Sequence, residues 1–334
     1  MQKIEISAKT IIFTVFFILL LQFLMIIKDL IFALFIAFII ASALRPFVLW
    51  LIEKRTPRII SLIIVYLLFI GIMGSIIGLI LPPLIKELFL LAKSLPYIIN
   101  KLAIGNLGFL DANSFVQHIP NITNQLINVI QGAFSNVVFI MLIFFFSFYF
   151  LIEENTIKKT LIKFFDETQS NKINDISNGA EKKLNSWFWG ELVLMMAVGI
   201  LTFIGLSLIG LKYVVPLAIL AGLLEIIPNL GPTIAAAPAI LIGFSQSYFL
   251  GLAALAASFI VQQLENNIIV PLVMKKAVGI SPAITLIALI VGGKLAGVMG
   301  VLLAIPTMLF LEVIVVEVIK KPTIKKTQTP LKPI

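Results

Sequence analysis

Two stretches of this 334-residue chain carry ionisable side chains where almost nothing else is polar. Glu225 is the only charged residue from Tyr213 through Leu264. Gln262, Gln263, Glu265, Asn266 and Asn267 form a second polar group, followed by Pro271. An ionisable residue at membrane depth costs about 2.5–3.5 kcal/mol on insertion scales and usually faces a cavity or a pathway. The chemistry open to such groups is carriage of protons, cations or a polar solute. For Glu225 the alternative is a structural hydrogen bond to a neighbouring helix. For the Gln262–Asn267 group it is a place at the inner headgroup level. Glu312 and Glu317 lie near a membrane end and read as interfacial.

A glycine run adds a third candidate: Gly292, Gly293, Lys294, Gly297 and Gly300. Small residues four apart let helix backbones approach closely. The functional alternative is a broken helix whose freed backbone groups face a solute, tolerated at membrane depth only inside protein or beside a cavity. Gly293, between Gly292 and Lys294, is the expected unwound tip, and Gly297 the expected packing position.

Enzyme motifs fail. There is no cysteine and only one histidine, His118, which excludes thiol nucleophiles, disulfides and His-rich metal sites. Gly293-Lys294 resembles the end of a phosphate-binding loop, but Ala288 stands for its first glycine and Leu295 for its Ser/Thr. No HExxH is present, and no aspartate falls inside an expected span. No catalytic residue, metal or cofactor is expected. The net charge of +9 is the balance of a nucleic-acid binder or of a membrane protein with basic cytoplasmic loops. The rest of the composition selects the second, with no nucleic acid as partner.

Hydrophobic residues make up 60% of the chain and charged ones 12%, against roughly 45–50% and 25% in soluble domains. So much apolar surface needs lipid as its solvent. Runs of about 20 apolar residues place spans at 11–27, 30–51, 59–81, 132–152 and 192–211. Pro228, Gly231, Pro232 and Pro238 then break the chain into a hairpin, 213–227 and 233–243, followed by a span over 249–270. A second broken unit, 282–291 and 298–318, is joined by the glycine run. The fold expected is an all-α polytopic membrane protein of about eight spanning or hairpin units, two of them broken or re-entrant hairpins in the C-terminal half.

The organisation follows: N-terminal helices over 1–83, an extramembrane amphipathic segment over 84–131, a helix over 132–152, a cytoplasmic helical segment over 153–191, a transport region over 192–319 and a basic tail over 320–334. With both termini cytoplasmic, nineteen Lys and Arg face inward and five outward, as the positive-inside rule requires. Span 11–27 lacks a cleavage site and should remain. Glu225 then lies about 18 Å into its hairpin and the glycine run about 15 Å into the other. Tips entering from opposite faces would meet near the midplane, as in many secondary transporters.

The segments Leu224-Glu225-Ile226-Ile227-Pro228-Asn229-Leu230-Gly231-Pro232 and Gln263-Leu264-Glu265-Asn266-Asn267-Ile268-Ile269-Val270-Pro271 resemble two signatures of the autoinducer-2 exporter family of permeases. A third follows: Val278-Gly279-Ile280-Ser281-Pro282, Gly292-Gly293, Gly297-Val298-Met299-Gly300 and Ala304-Ile305-Pro306. The resemblance covers nearly the whole chain. It implies a multi-pass inner-membrane permease exporting a small polar solute such as autoinducer-2, or a Na+(Li+)/H+ antiporter. Asn229, where an aromatic is often found, and Lys294, where a neutral residue is expected, depart from the pattern. Lys294 could serve as counter-ion to Glu225 or Glu265. No ATP-binding module is present, so an ion gradient or downhill flow would drive transport. The expected pathway comprises Glu225, Pro228, Asn229, Gly231, Pro232, Gln262, Glu265, Asn266, Pro271, Gly292, Gly293, Lys294 and Gly297. The expected partners are the lipid bilayer, a small solute or monovalent cation, and further copies of the chain in a homo-oligomer. A non-transporting membrane scaffold is the reading from another class.

Overall fold

The computed structural model describes residues 8–76, 78, 82, 86, 137–152, 166–228, 230–274 and 281–319. Among them every regular element is helical, and six helices are long and apolar enough to cross a membrane. The segment expected to be amphipathic, 84–131, lies outside the described residues apart from Lys86, as does the tail 320–334. The chain divides into two compact units: 1–154 with 185–279, and 155–184 with 280–334.

In the first unit, α1 (Ala8–Ile26), α2 (Lys28–Glu53), α3 (Arg58–Ser75) and α4 (Val137–Ile152) follow the apolar runs. Helix α2 buries Ala33, Ala37 and Ala41. Their four-residue spacing puts them on one face, where small side chains admit close helix packing; α2 packs against both α3 and α4. Tyr66 of α3 donates to the Phe144 carbonyl at 2.5 Å and pairs with the Ser147 hydroxyl at 2.7 Å. Buried hydroxyls on facing helices thereby satisfy one another, as lipid-embedded polar groups must.

Helix α5 (Glu167–Leu208) runs unbroken for 42 residues. It takes in the charged sequence from residue 167 and the whole apolar run that follows. Its first part, through Leu184, belongs to the second unit and the remainder to the first. It ends where Gly210 turns to a positive φ of 70°. There Leu211 N–H donates to the Leu206 carbonyl and Gly210 N–H to that of Ser207, the paired bonds of a Schellman cap. The expected hairpin is α6 (Val214–Leu224) and α7 (Leu230–Gln246). Helix α8 (Tyr248–Leu264) follows, its start capped by the Ser247 hydroxyl accepting from Leu250 N–H.

After α8 the backbone widens into a π turn, Glu265–Ile269, before α9 (Val270–Met274). Pro271 accounts for the widening. It has no N–H to donate, and its ring collides with the carbonyl four residues back. A π turn absorbs that mismatch without ending the helix, and such bulges are frequent at functional sites.

The second unit holds the start of α5 with α10 (Pro282–Leu302) and α11 (Ala304–Ile319). Lys183 of α5 and Glu312 of α11 form an ion pair at 2.6 Å. Helix α10 is broken at Ala296 and Gly297, whose dihedrals leave the helical region. The break therefore falls at Gly297, not at Gly293 as the sequence suggested. Gly297 has φ 59° and ψ −137°, a conformation open essentially to glycine.

Candidate functional site

The turn between α6 and α7 is built by its glycine and prolines. Pro228 is half-buried in it, and Gly231 and Pro232 are buried at the start of α7. A Cβ on Gly231 would overlap the Leu224 carbonyl, so only glycine lets the returning helix pass. Gly231 N–H donates to the Ile227 carbonyl at 2.8 Å, closing the turn. Glu225 is thereby fixed at the last turn of α6, facing inward with 0% of its surface exposed. Asn229 lies outside the described residues.

Glu265, the first residue of the π turn, is 1% exposed. Its carboxyl group faces that of Glu225. A third carboxyl joins them from α5, where Glu191 is 4% exposed and near enough to feel both charges. Both oxygens of Glu191, both of Glu225 and Oε2 of Glu265 are buried without a hydrogen-bond partner. Trp187, one turn before Glu191, brings its indole close to that carboxylate. Its Nε1 is also buried without a partner in hydrogen-bonding geometry. Three buried carboxyl groups from three elements therefore converge, next to an indole N–H that has no partner of its own.

The cost of this arrangement sets what it can do. An unpaired buried charge costs several kcal/mol. Among the described residues of this unit no lysine or arginine contributes to the field at these three groups. No group of three or more Asp, Glu, His or Cys among the described residues is arranged to hold a metal ion.

The remaining expected residues divide. Gln262 is half-buried and its Nε2 donates to Thr233 Oγ1 at 3.1 Å, tying α8 to α7. Asn266 and Pro271 are exposed. So is Asn267, whose amide donates to Gln263 Oε1 at 2.8 Å. In the second unit Gly292 and Gly293 are half-buried, while Lys294 and Gly297 are exposed. Gly292 instead meets Gly300: a Cβ on either would overlap the other's carbonyl. Small residues at that crossing bring the two segments of the broken helix together.

Glu191 was not among the residues the sequence singled out. The signal was present, since it is the only charge between Lys183 and Lys212. It was absorbed into the charged segment that precedes it.

Residues 11–320 match the model of the AI-2E family transporter. The chain belongs to that family. It is 32% identical over 307 residues to "Putative transport protein YueF" of Bacillus subtilis (strain 168), covering 85% of this chain and 83% of that protein. To "Putative transport protein YrrI" of the same organism it is 26% identical over 327 residues, or 90% of each. To "Putative transport protein YhhT" of Escherichia coli (strain K12) it is 25% identical over 295 residues, covering 83% and 82%. This AI-2E family member is thus a multi-pass membrane transporter, resident in a lipid bilayer. The hairpin turn and the two glutamates of its signatures lie in the stretch where its carboxyl groups converge.

Proposed function

We propose that this chain is a secondary transporter exporting a small polar solute, similar to autoinducer-2 exporters, with Glu225, Glu265 and Glu191 as its coupling group. The observation that carries the reading is the convergence of three carboxyl groups with five buried, unpartnered oxygens inside a helical membrane domain. Residues that costly at membrane depth mark proton relays and ion paths in pumps and transporters. The hairpin turn at Pro228–Pro232 and the π turn at Glu265 are irregular backbone of the kind that secondary transporters place at their binding sites. In this reading Pro228, Asn229, Gly231, Pro232 and Gln262 shape the pathway beside the glutamates. The glycine-rich break of α10 supplies the second broken helix, and both termini face the cytoplasm. Copies associate as a homo-oligomer.

The test is flux in proteoliposomes against a panel of small polar solutes, with and without imposed H+ and Na+ gradients. Glu225→Gln removes the charge at nearly constant volume. It should fold and insert, and transport should lose its response to a pH gradient. A response that survives intact in Glu225→Gln removes Glu225 from the coupling role. Flux driven by Na+ against H+ with no organic solute would instead identify a cation–proton antiporter.

A further inference from the structure

Between α5, α6, α7 and α8 lies a small cavity of about 20 Å³, lined among others by Val198, Thr202, Ala221, Pro232, Ser258 and Val261. A space of roughly 10–15 Å³ holds one water molecule. Genuinely empty cavities in proteins are apolar, and this one is not. Thr202 and Ser258 each bring a hydroxyl that can donate and accept.

Its position along the helices matters as much as its lining. Ala221 precedes Glu225 by one turn and Val261 precedes Glu265 by one turn, about 6 Å of helix in each case. Val198 follows Glu191 by about 10 Å on the antiparallel α5. None of the three carboxyl groups lines the cavity. It lies about one turn from Glu225 and Glu265, on the side toward which helical side chains lean, displaced toward the end of the unit that carries the 209–213 and Ser247 connections.

We infer that this cavity holds water and is the last leg of a proton path joining the Glu191–Glu225–Glu265 cluster to that end of the unit. The inference rests on the reading of these glutamates as the coupling group. The step is a relay to the Glu225 or Glu265 side chain swung back toward the cavity, directly or through one further water: an O–H bond forms on the carboxylate oxygen as an O–H bond of the hydrated proton beside it breaks, leaving water. Thr202 and Ser258 hold the water in line. The titratable groups facing the path are Glu191 from α5, Glu225 at the end of α6 and Glu265 after α8; α7 contributes none.

Infrared spectroscopy of the full chain in lipid reads this path without any solute, because the carboxyl C=O band shifts when its proton is replaced by deuterium. In the Thr202→Val/Ser258→Ala double variant that shift should be slowed about tenfold or more after transfer to D2O. Thr202→Ser, which keeps the hydroxyl, should exchange at the original rate. The amide bands confirm folding, and Ser258→Ala alone is the fallback if the double variant does not assemble. Unchanged carboxyl exchange in a folded variant without the hydroxyls overturns the path. Glu225→Gln separates this from the parent reading: it should remove part of the carboxyl band, and its failure to do so, with pH-driven flux intact, would sink the coupling group itself.

Discussion

Glu225, at the end of α6, and Glu265, at the first position of the π turn, face each other with 0% and 1% of their surfaces exposed. Neither Glu225 oxygen has a hydrogen-bond partner, nor does Oε2 of Glu265. Two carboxyl groups so placed titrate as a pair, and effects at coupled sites are not additive. Glu225→Gln and Glu265→Gln should each reduce pH-driven flux about tenfold or more, the equivalent of ~1.4 kcal/mol. The double variant should be little worse than either single one. Glu191→Gln should fall in the same class. Multiplying losses would show that the glutamates act independently.

Helix α5 crosses α6 at a point where Gly222 leaves no room. A Cβ there would lie 2.7 Å from the Met195 carbonyl and 3.3 Å from Gly199 Cα. Backbone cannot swing aside as a flexible side chain does, so Gly222→Ala should cost about 1–3 kcal/mol through overpacking. At Gly199 the nearest atom to an added Cβ is 3.4 Å away, which is ordinary contact. Gly199→Ala should be nearly neutral. Thermal unfolding in detergent compares the two, and equal losses would mean that the crossing is looser than its geometry indicates.

The two glycines of the α10 break invert the roles that their sequence neighbours suggest. Gly297 has nothing within 4 Å of an added Cβ, but its positive φ strains any L side chain. Gly293 keeps helical backbone, and its added Cβ would meet only the Val301 methyl at 3.1 Å. Gly297→Ala should therefore destabilise by about 1–3 kcal/mol or straighten the break and lower flux. Gly293→Ala should be the milder change, because Val301 can shift. Flux per folded protein, with thermal stability recorded alongside, checks the order. A larger effect at Gly293 would return the tip to that position.

What the sequence made legible follows from which forces act locally. The spans were readable because a long apolar run in lipid has few options besides a helix. The α6–α7 turn was readable because Pro228, Gly231 and Pro232 act through their own backbone geometry. Glu191 was hidden for the opposite reason. A boundary drawn where charge density falls assumes that a helix ends there. The backbone hydrogen bonds of α5 continue across the change of polarity, carrying Glu191 from an assumed loop end into the buried cluster. Lone charges were the better guide: between Lys183 and Lys275 the chain has only Glu191, Lys212, Glu225 and Glu265, and the three acids are the ones that meet. The break at Gly297 could not be separated from Gly293 by residue type, because both are glycine and only the dihedrals differ. The π turn left a signal in Pro271, whose clash is felt four residues upstream.

The orientation of the chain is the last expectation and the most direct to test. Placing both termini in the cytoplasm puts nineteen Lys and Arg on that side and five on the other, and such a bias sets orientation during insertion. The chain has no cysteine, so single cysteines report without background. Asp111→Cys samples the segment expected outside. Asn171→Cys samples the segment expected inside, and Asn171 is exposed where its neighbour Ser170 is buried. In intact cells a membrane-impermeant maleimide should label position 111 and spare position 171. Permeabilised cells should label both, which shows that each thiol is reachable. Labelling of 171 with protection of 111 in intact cells would invert the map. The cavity side of the carboxyl cluster would then open to the cytoplasm, and protons would reach Glu225 from within.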